Sequence, residues 1–170
     1  MSGFAEEKYA ENPKGKLYYM IGSARSGKST VCKELATELN ATILTQDSFR
    51  LAMYDKDWWG PGEPAVFGHF DVAVRSLLIN GTNVIVDETN TMAWRREHWA
   101  SMGGRAFYVD TPLDVCLSRC NPTNDGLMGA VKRMHGNLTS FNPLDGKEKV
   151  MRIYTWNGQG FDMELTRGLR

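Results

Sequence analysis

The chain has 170 residues and carries 20 Lys and Arg against 20 Asp and Glu, a formal net charge of zero. That length suits one compact domain able to bury a core without disulfides. The balanced charge excludes a global field that would wrap duplex nucleic acid, so any polyanion must meet a local basic patch.

Met1–Lys14 is polar and is expected to be a flexible N-terminal segment, with a single domain over residues 15–170. Lys16–Ile21 (KLYYMI) reads as a buried strand, followed at once by GSARSGKS at 22–29. Lys28–Leu39 then places Val31, Cys32, Leu35, Ala36 and Leu39 on a helical stripe. Ala41–Thr45 is a second short strand that delivers Gln46 and Asp47 at its end, and Asp47–Tyr54 a short helix. Gly and Pro make Asp55–Pro64 (DKDWWGPGEP) a loop. Phe67, Phe70, Val74, Leu77 and Leu78 form the next helical stripe, stopped near Asn80-Gly81. Asn83–Asp87 (NVIVD) is a third strand, Met92–Met102 a helix with Thr91 as its N-cap, and Arg105–Val109 a fourth strand. Pro112 at a first helical position opens a helix to about Cys120. Asn121–Gly126 interrupts it, and Leu127–Gly136 resumes it. Strands alternating with helices predict an α/β fold, a parallel sheet of four to five strands with helices on both faces.

Cys32, Cys116 and Cys120 are too few and too irregular for a disulfide framework, and with His69, His98 and His135 they complete no zinc set. Three free thiols in a reducing compartment is the reading they support. Residues 1–14 lack a signal peptide's apolar run, and no stretch reaches membrane-spanning length. A cytoplasmic location is expected, and no partner protein follows from the sequence.

The chemistry starts at G-x-x-x-x-G-K-S. Gly22, Ser23, Ala24, Arg25, Ser26 and Gly27, with Lys28, Ser29 and Thr30, form a phosphate cradle between strand and helix. Lys28 reaches the β- and γ-phosphates and Ser29 ligates Mg²⁺, so a nucleoside triphosphate and Mg²⁺ are the implied ligands. Asp47, past the second strand, lies at the carboxyl edge of the sheet, where ligands bind. It is a candidate general base for an alcohol attacking the γ-phosphate, or else a helix cap. Arg50, one turn on, could grip an acceptor phosphate. In NVIVDETN, Asp87 stands where a carboxylate would meet the metal, with Glu88 a rival. Asp87 could otherwise cap the strand or pair with Lys28. Thr89 and Asn90 are acceptor-side candidates. Arg119, before the interruption, could close over the nucleotide or merely sit at a helix end. Arg133 is read as a solvated face residue. Trp58 and Trp59 could stack a base or plug the core, with the core favoured for one of them. Arg95-Arg96 reads as a solvated basic spot.

GSARSGKST, QDSFR, GHFDVAVRSLLINGTNVIVDETN, RRE and VCLSRCN together resemble the phage-type 5′-hydroxyl polynucleotide kinases, over residues 16–138. The resemblance implies a P-loop kinase domain with a helical lid, using ATP and Mg²⁺, without an attached phosphatase or ligase domain. It implies that Lys28 and Ser29 serve phosphate and metal, that Asp47 is the base, and that Arg50 holds the acceptor's phosphate. Asp87 and Asn90 match the motif after the third strand, and Arg119 the first lid arginine. The family's second lid cation has no counterpart in Asn121–Gly126. By the resemblance the acceptor is a nucleic-acid hydroxyl, first the 5′-end of a polynucleotide. A related branch phosphorylates hydroxymethylated bases in phage DNA, and other relatives phosphorylate nucleosides or similar small molecules. A phage-encoded enzyme would work in the host cytoplasm.

Overall fold

Leu17–Ile21 forms β1, and all five of its residues are buried. A strand can be apolar throughout only if both faces of its sheet are covered. In the computed structural model, which describes residues 14–166, they are. All of the segment expected to be flexible except Lys14 lies outside the described residues.

The elements follow as α1 (Lys28–Glu38), β2 (Ala41–Leu44), α2 (Gln46–Tyr54), a 3₁₀ turn (Gly60–Gly62), α3 (Glu63–Ile79), β3 (Asn83–Val86), α4 (Ala93–Ser101) and β4 (Arg105–Asp110). Then come α5 (Leu113–Ser118), α6 (Asp125–Leu138), β5 (Val150–Trp156) and β6 (Phe161–Leu165). The six strands lie in the order β2-β3-β1-β4-β5-β6. The neighbours from β2 to β5 pair in parallel, and β6 returns antiparallel on β5.

Side-chain alternation sorts the core into two layers. Tyr19, Ile21, Val84 and Val86 pack with Phe70, Val74 and Leu78 of α3 and Trp99 of α4. Tyr18, Met20, Ile85 and Phe107 pack with Val31, Cys32 and Leu35 of α1. All three cysteines are free and buried.

Several sequence expectations need correction. Among the described residues the parallel part of the sheet has five strands, within the expected four to five, and an antiparallel sixth, β6, was not expected. The stretch Asp55–Pro64 is not all loop: α3 begins at Glu63, since Pro64 lies in the first turn, where its missing N–H costs nothing. Met92, not Thr91, precedes α4, and Pro112 precedes α5 rather than opening it. Thr91 is buried, and its carbonyl accepts from Arg96 (2.7 Å).

Arg96 is not solvated. Its side chain is 6% exposed, and Nε donates to the equally hidden Glu148 at 2.7 Å. Its Nη1 also donates to the carbonyl of Asn90 (3.2 Å). This pair ties the loop after β3 to the segment before β5. Removing one partner of such a pair strands a buried charge at about 3–5 kcal/mol, whereas replacing both with apolar residues costs far less. Glu148→Ala should therefore lower stability by about 3 kcal/mol or more in urea unfolding, and Arg96→Met/Glu148→Met by less. A double variant weaker than Glu148→Ala would refute this account of the pair.

Candidate functional site

The site is built at the carboxyl edge of the sheet. Gly22 leaves β1 and donates its N–H to the Thr89 carbonyl (3.0 Å), so the phosphate loop is stitched to the loop after β3. The loop then turns through Arg25 and Gly27, both in the left-handed region (φ 64° and 95°). Gly27 is required twice over. A Cβ there would be strained, and would lie 3.0 Å from Cζ of Phe161.

Lys28 opens α1 and is 8% exposed. Its ammonium donates only a long bond, 3.4 Å, to the Ser23 carbonyl. Burial pulls its pKa down, and the nearby Asp87 and Glu88 carboxylates pull it back up. The Ser23 and Ser26 hydroxyls are buried with no hydrogen-bond partner among the described residues. An under-bonded buried cation beside two unpartnered hydroxyls fits an anion such as a triphosphate. Ala24, Arg25 and Ser26 complete the turn, and Thr30, exposed in the first turn of α1, donates its N–H back to Gly27 (3.1 Å).

Ser29 Oγ donates to Asp87 Oδ2 at 2.8 Å. A hydroxyl and one carboxylate are the hard-oxygen donors that Mg²⁺ takes from a protein when phosphates and waters supply the rest. Among the described residues no cluster of three or more His, Cys, Asp or Glu could hold a metal by itself.

On the β2 side, Asp47 and Arg50 lie in α2. The Asp47 side chain is 78% exposed, and its Oδ1 accepts from Arg50 Nη1 at 2.7 Å. The Thr45 side chain caps the helix by accepting from the Asp47 N–H, so Asp47 itself is not the cap. Arg50 also donates to both carboxylate oxygens of Glu63, each at 2.8 Å. Glu88 lies behind them and accepts from the N–H of Gln46. Desolvation raises the Glu88 pKa to about 7, against that hydrogen bond and the pull of Arg50, with Asp47 adding a further push up.

Asn90 stands apart from the rest. Its amide donates to the Met20 carbonyl (2.7 Å) and accepts from Trp99 Nε1 (3.2 Å), so its side chain is spent on the core rather than on an acceptor. Thr89, half-buried, supplies the backbone stitch to Gly22. Neither Trp58 nor Trp59 plugs the core: they are 70% and 39% exposed, and Trp59 packs edge-on against Tyr54. Arg133 is exposed, as expected.

Arg119, just after α5, reaches the loop, where its Nη1 donates to the Arg25 carbonyl (3.0 Å). Its guanidinium lies 4.6 Å over the Trp156 ring, which meets Phe161 edge-on. This aromatic wall went unnoticed in the sequence, although WNGQGF, two aromatics flanking a Gly-rich turn, is a hairpin signal. Two further features were missed. Arg95 lies over Phe67 and Trp94, at 4.4 and 4.6 Å. A cavity of about 210 Å³ opens beside the loop, lined by Ser23, Tyr108, Asp110, Thr111, His135 and Thr139 among others.

A strand, a phosphate loop and a helix, with a serine–aspartate pair beside a buried lysine, define a kinase-like P-loop protein. A family model described as an AAA domain matches residues 17–124, and the chain belongs to that family. No curated protein sequence matches it. Among solved structures, one from the Pnkp1/Rnl/Hen1 RNA repair complex aligns with a TM-score of 0.61 at 24% identity, over 75% of this chain and 46% of the other. The chain thus spans about half the length of that relative. The Mycobacterium tuberculosis APS kinase CysC, in complex with AMPPNP and APS, aligns at 0.52 and 24%, over 66% of this chain and 71% of that one. Shikimate kinase from Bacteroides thetaiotaomicron aligns at 0.56 and 14%, over 82% and 86%. These likenesses show the fold.

Two outcomes follow. Gly27→Ala should weaken ATP binding by about tenfold or more, through backbone strain of roughly 1–2 kcal/mol and the clash with Phe161; titration with a fluorescent ATP analogue reads this, and unchanged affinity refutes it. For Glu88, a carboxyl whose pKa is higher folded than unfolded binds its proton more tightly in the native state. Its stabilising effect is full below about pH 4.5 and is lost as pH rises toward about 7. The stability of the chelator-treated protein relative to Glu88→Gln should fall by up to roughly 3 kcal/mol across that window. A flat difference would contradict the burial argument.

Proposed function

We propose that the chain is an ATP- and Mg²⁺-dependent kinase that transfers the γ-phosphate to a hydroxyl of a nucleic acid, the 5′-hydroxyl end of a polynucleotide being the first candidate. The observation that carries the reading is the row Lys28, Ser29–Asp87, Asp47 along the edge formed by β1, β3 and β2. An exposed carboxylate two strands from the phosphate cradle supports reading that flank as the acceptor side.

In this reading the acceptor oxygen forms a bond to the γ-phosphorus, the bond to the β,γ-bridging oxygen breaks, and ADP leaves. Asp47 takes the hydroxyl proton, and Arg50 holds Asp47 in place through the 2.7 Å bond. Lys28 and the loop N–H groups offset the negative charge on the phosphates. Mg²⁺, held through Ser29 and Asp87, would supply charge neutralisation at the phosphate oxygens. Arg119, already against the loop, is positioned to approach the nucleotide, with Trp156 and Phe161 as its wall.

The likeness to a chain of an RNA repair complex supports a nucleic-acid acceptor. One observation favours a second acceptor, a hydroxymethylated base in DNA: Arg50, expected to hold a phosphate, is engaged by the carboxylate of Glu63. A nucleoside or similar small molecule is the third candidate.

Labelled ATP presented with 5′-hydroxyl DNA, 5′-hydroxyl RNA, hydroxymethyl-base DNA and free nucleosides tests the reading. Label should move to one class of acceptor. Asp47→Ala should cut transfer by about a hundredfold or more while ATP affinity holds. Release of inorganic phosphate alone, or an Asp47→Ala variant as active as the parent, would end the proposal.

A further inference from the structure

The stretch WWGPGEP is the most unusual in the chain, and its geometry serves one side chain. A Cβ on Gly62 would lie 2.6 Å from the Tyr54 ring and 2.7 Å from the Trp59 ring. Only glycine lets the 3₁₀ turn pass beneath those two aromatics. The turn feeds directly into α3, whose first residue is Glu63. The WWGPG segment therefore delivers a carboxylate to the flank of α2, where it meets Arg50.

A guanidinium has five N–H donors, and its Nε–Nη2 edge is one of the forks that grips a phosphate or carboxylate with two parallel bonds. In Arg50 that edge is filled. Nε donates to Glu63 Oε1 and Nη2 to Glu63 Oε2, both at 2.8 Å. The other Nη2 proton goes to Gln46 Oε1 (3.0 Å), and Nη1 donates to Asp47 Oδ1 (2.7 Å). One N–H is left. The Arg50 and Glu63 side chains are only 13% and 20% exposed, so water and salt screen the pair weakly. A phosphate arriving here would have to evict a bidentate carboxylate while facing Asp47 and Glu88, which surround the same cation.

We propose that Glu63 determines acceptor specificity: by occupying the phosphate-gripping edge of Arg50, it makes Arg50 a positioning residue for Asp47 and sets the site for a primary alcohol that brings no phosphate to that guanidinium. This rests on the kinase reading and narrows its acceptor. A 5′-hydroxyl nucleotide gains nothing at Arg50 from its own 3′-phosphate, and a hydroxymethyl group on a base needs no such contact.

The test uses two probes that share a 5′-hydroxyl, thymidine and deoxythymidine 3′-monophosphate. It has two readouts: kcat/KM for each, and the NMR signal of the Arg50 Nε–H group, assigned by its loss in Arg50→Lys. In the wild-type protein the two kcat/KM values should agree within about threefold, and the Arg50 signal should stay put as the 3′-monophosphate is added. In Glu63→Gln, selectivity should shift about tenfold toward the 3′-monophosphate, and the Arg50 signal should move saturably with it. A role confined to folding would lower both kcat/KM values together and leave their ratio alone. Glu63→Ala is the second variant, and the same spectra show whether each is folded. A wild-type Arg50 signal that moves saturably with the 3′-monophosphate, or a ratio unchanged in both variants, overturns the proposal. Failure of the kinase reading is separate: wild type would label neither probe nor any acceptor of the wider panel. The NMR readout would still report whether Glu63 keeps phosphate off Arg50.

Discussion

The buried ammonium of Lys28 sets the terms for the whole carboxyl edge of the sheet. It is 8% exposed, and its one hydrogen bond among the described residues, to the Ser23 carbonyl, is long. Hiding a cation costs several kcal/mol unless opposite charge lies nearby. The protein answers with two carboxylates in succession, Asp87 and Glu88, both of which favour the charged form of Lys28. Bringing them there requires β3 beside β1, which the parallel register Leu17 to Val84 through Tyr19 to Val86 enforces. The strand order of the central sheet is thus tied to the electrostatics of the cradle.

From this centre the charges alternate outward. Asp87 turns to Ser29 and Glu88 to the N–H of Gln46, which starts α2. Arg50 follows one turn later, and Glu63 and Asp47 close on it. Arg50 is the cation on which the carboxylates of Glu63, Asp47 and Glu88 converge, so these groups carry a surplus of negative charge. Asp47, with its side chain 78% exposed, stands at the solvent edge, which suits the general-base role proposed for it. Glu88 has a different setting: half-buried, with its pKa raised to about 7 by desolvation.

How much of this was legible in the sequence depended on the distance between cause and effect along the chain. The phosphate loop was readable because its strand, glycines, lysine and helix are contiguous; Ser29 and Asp87 could each be read toward the metal from a motif, but not their bond to one another. Elements β1 to β4 were legible from apolar runs. The β5–β6 hairpin was not read, because β6 has its outer residues exposed and gives no continuous apolar signal. Arg96 looked solvated, since two adjacent arginines on a helix usually are. Its partner Glu148 is 52 residues away, and no local pattern joins them. The same holds for Arg50: the spacing Asp47 to Arg50 showed that they share a helix face, but Glu63 arrives over a turn whose path depends on two aromatic rings. Asn90 was assigned to the acceptor from its place in a motif, whereas burial against Trp99 and Met20 fixes it as a core fastener.

The two halves of the site obey different physics. The β2 side is a lattice of charges, and by the proposal above removing Glu63 retunes its selectivity. The other side is aromatic: Trp156, on the hairpin, lies under the Arg119 guanidinium that bonds the loop, and Phe161, edge-on to Trp156, leaves little room for a side chain at Gly27. Cation–π contact fixes a guanidinium's plane without consuming all its N–H donors, so Arg119 keeps bonding capacity in hand, whereas Arg50, saturated by carboxylates, has little left. Two arginines flank one phosphate cradle. The one packed on an aromatic ring is free to meet an anion, and the one locked by a carboxylate is not. That difference in partner, rather than in residue type, separates a guanidinium with donors to spare from one that is fixed against neighbouring carboxylates.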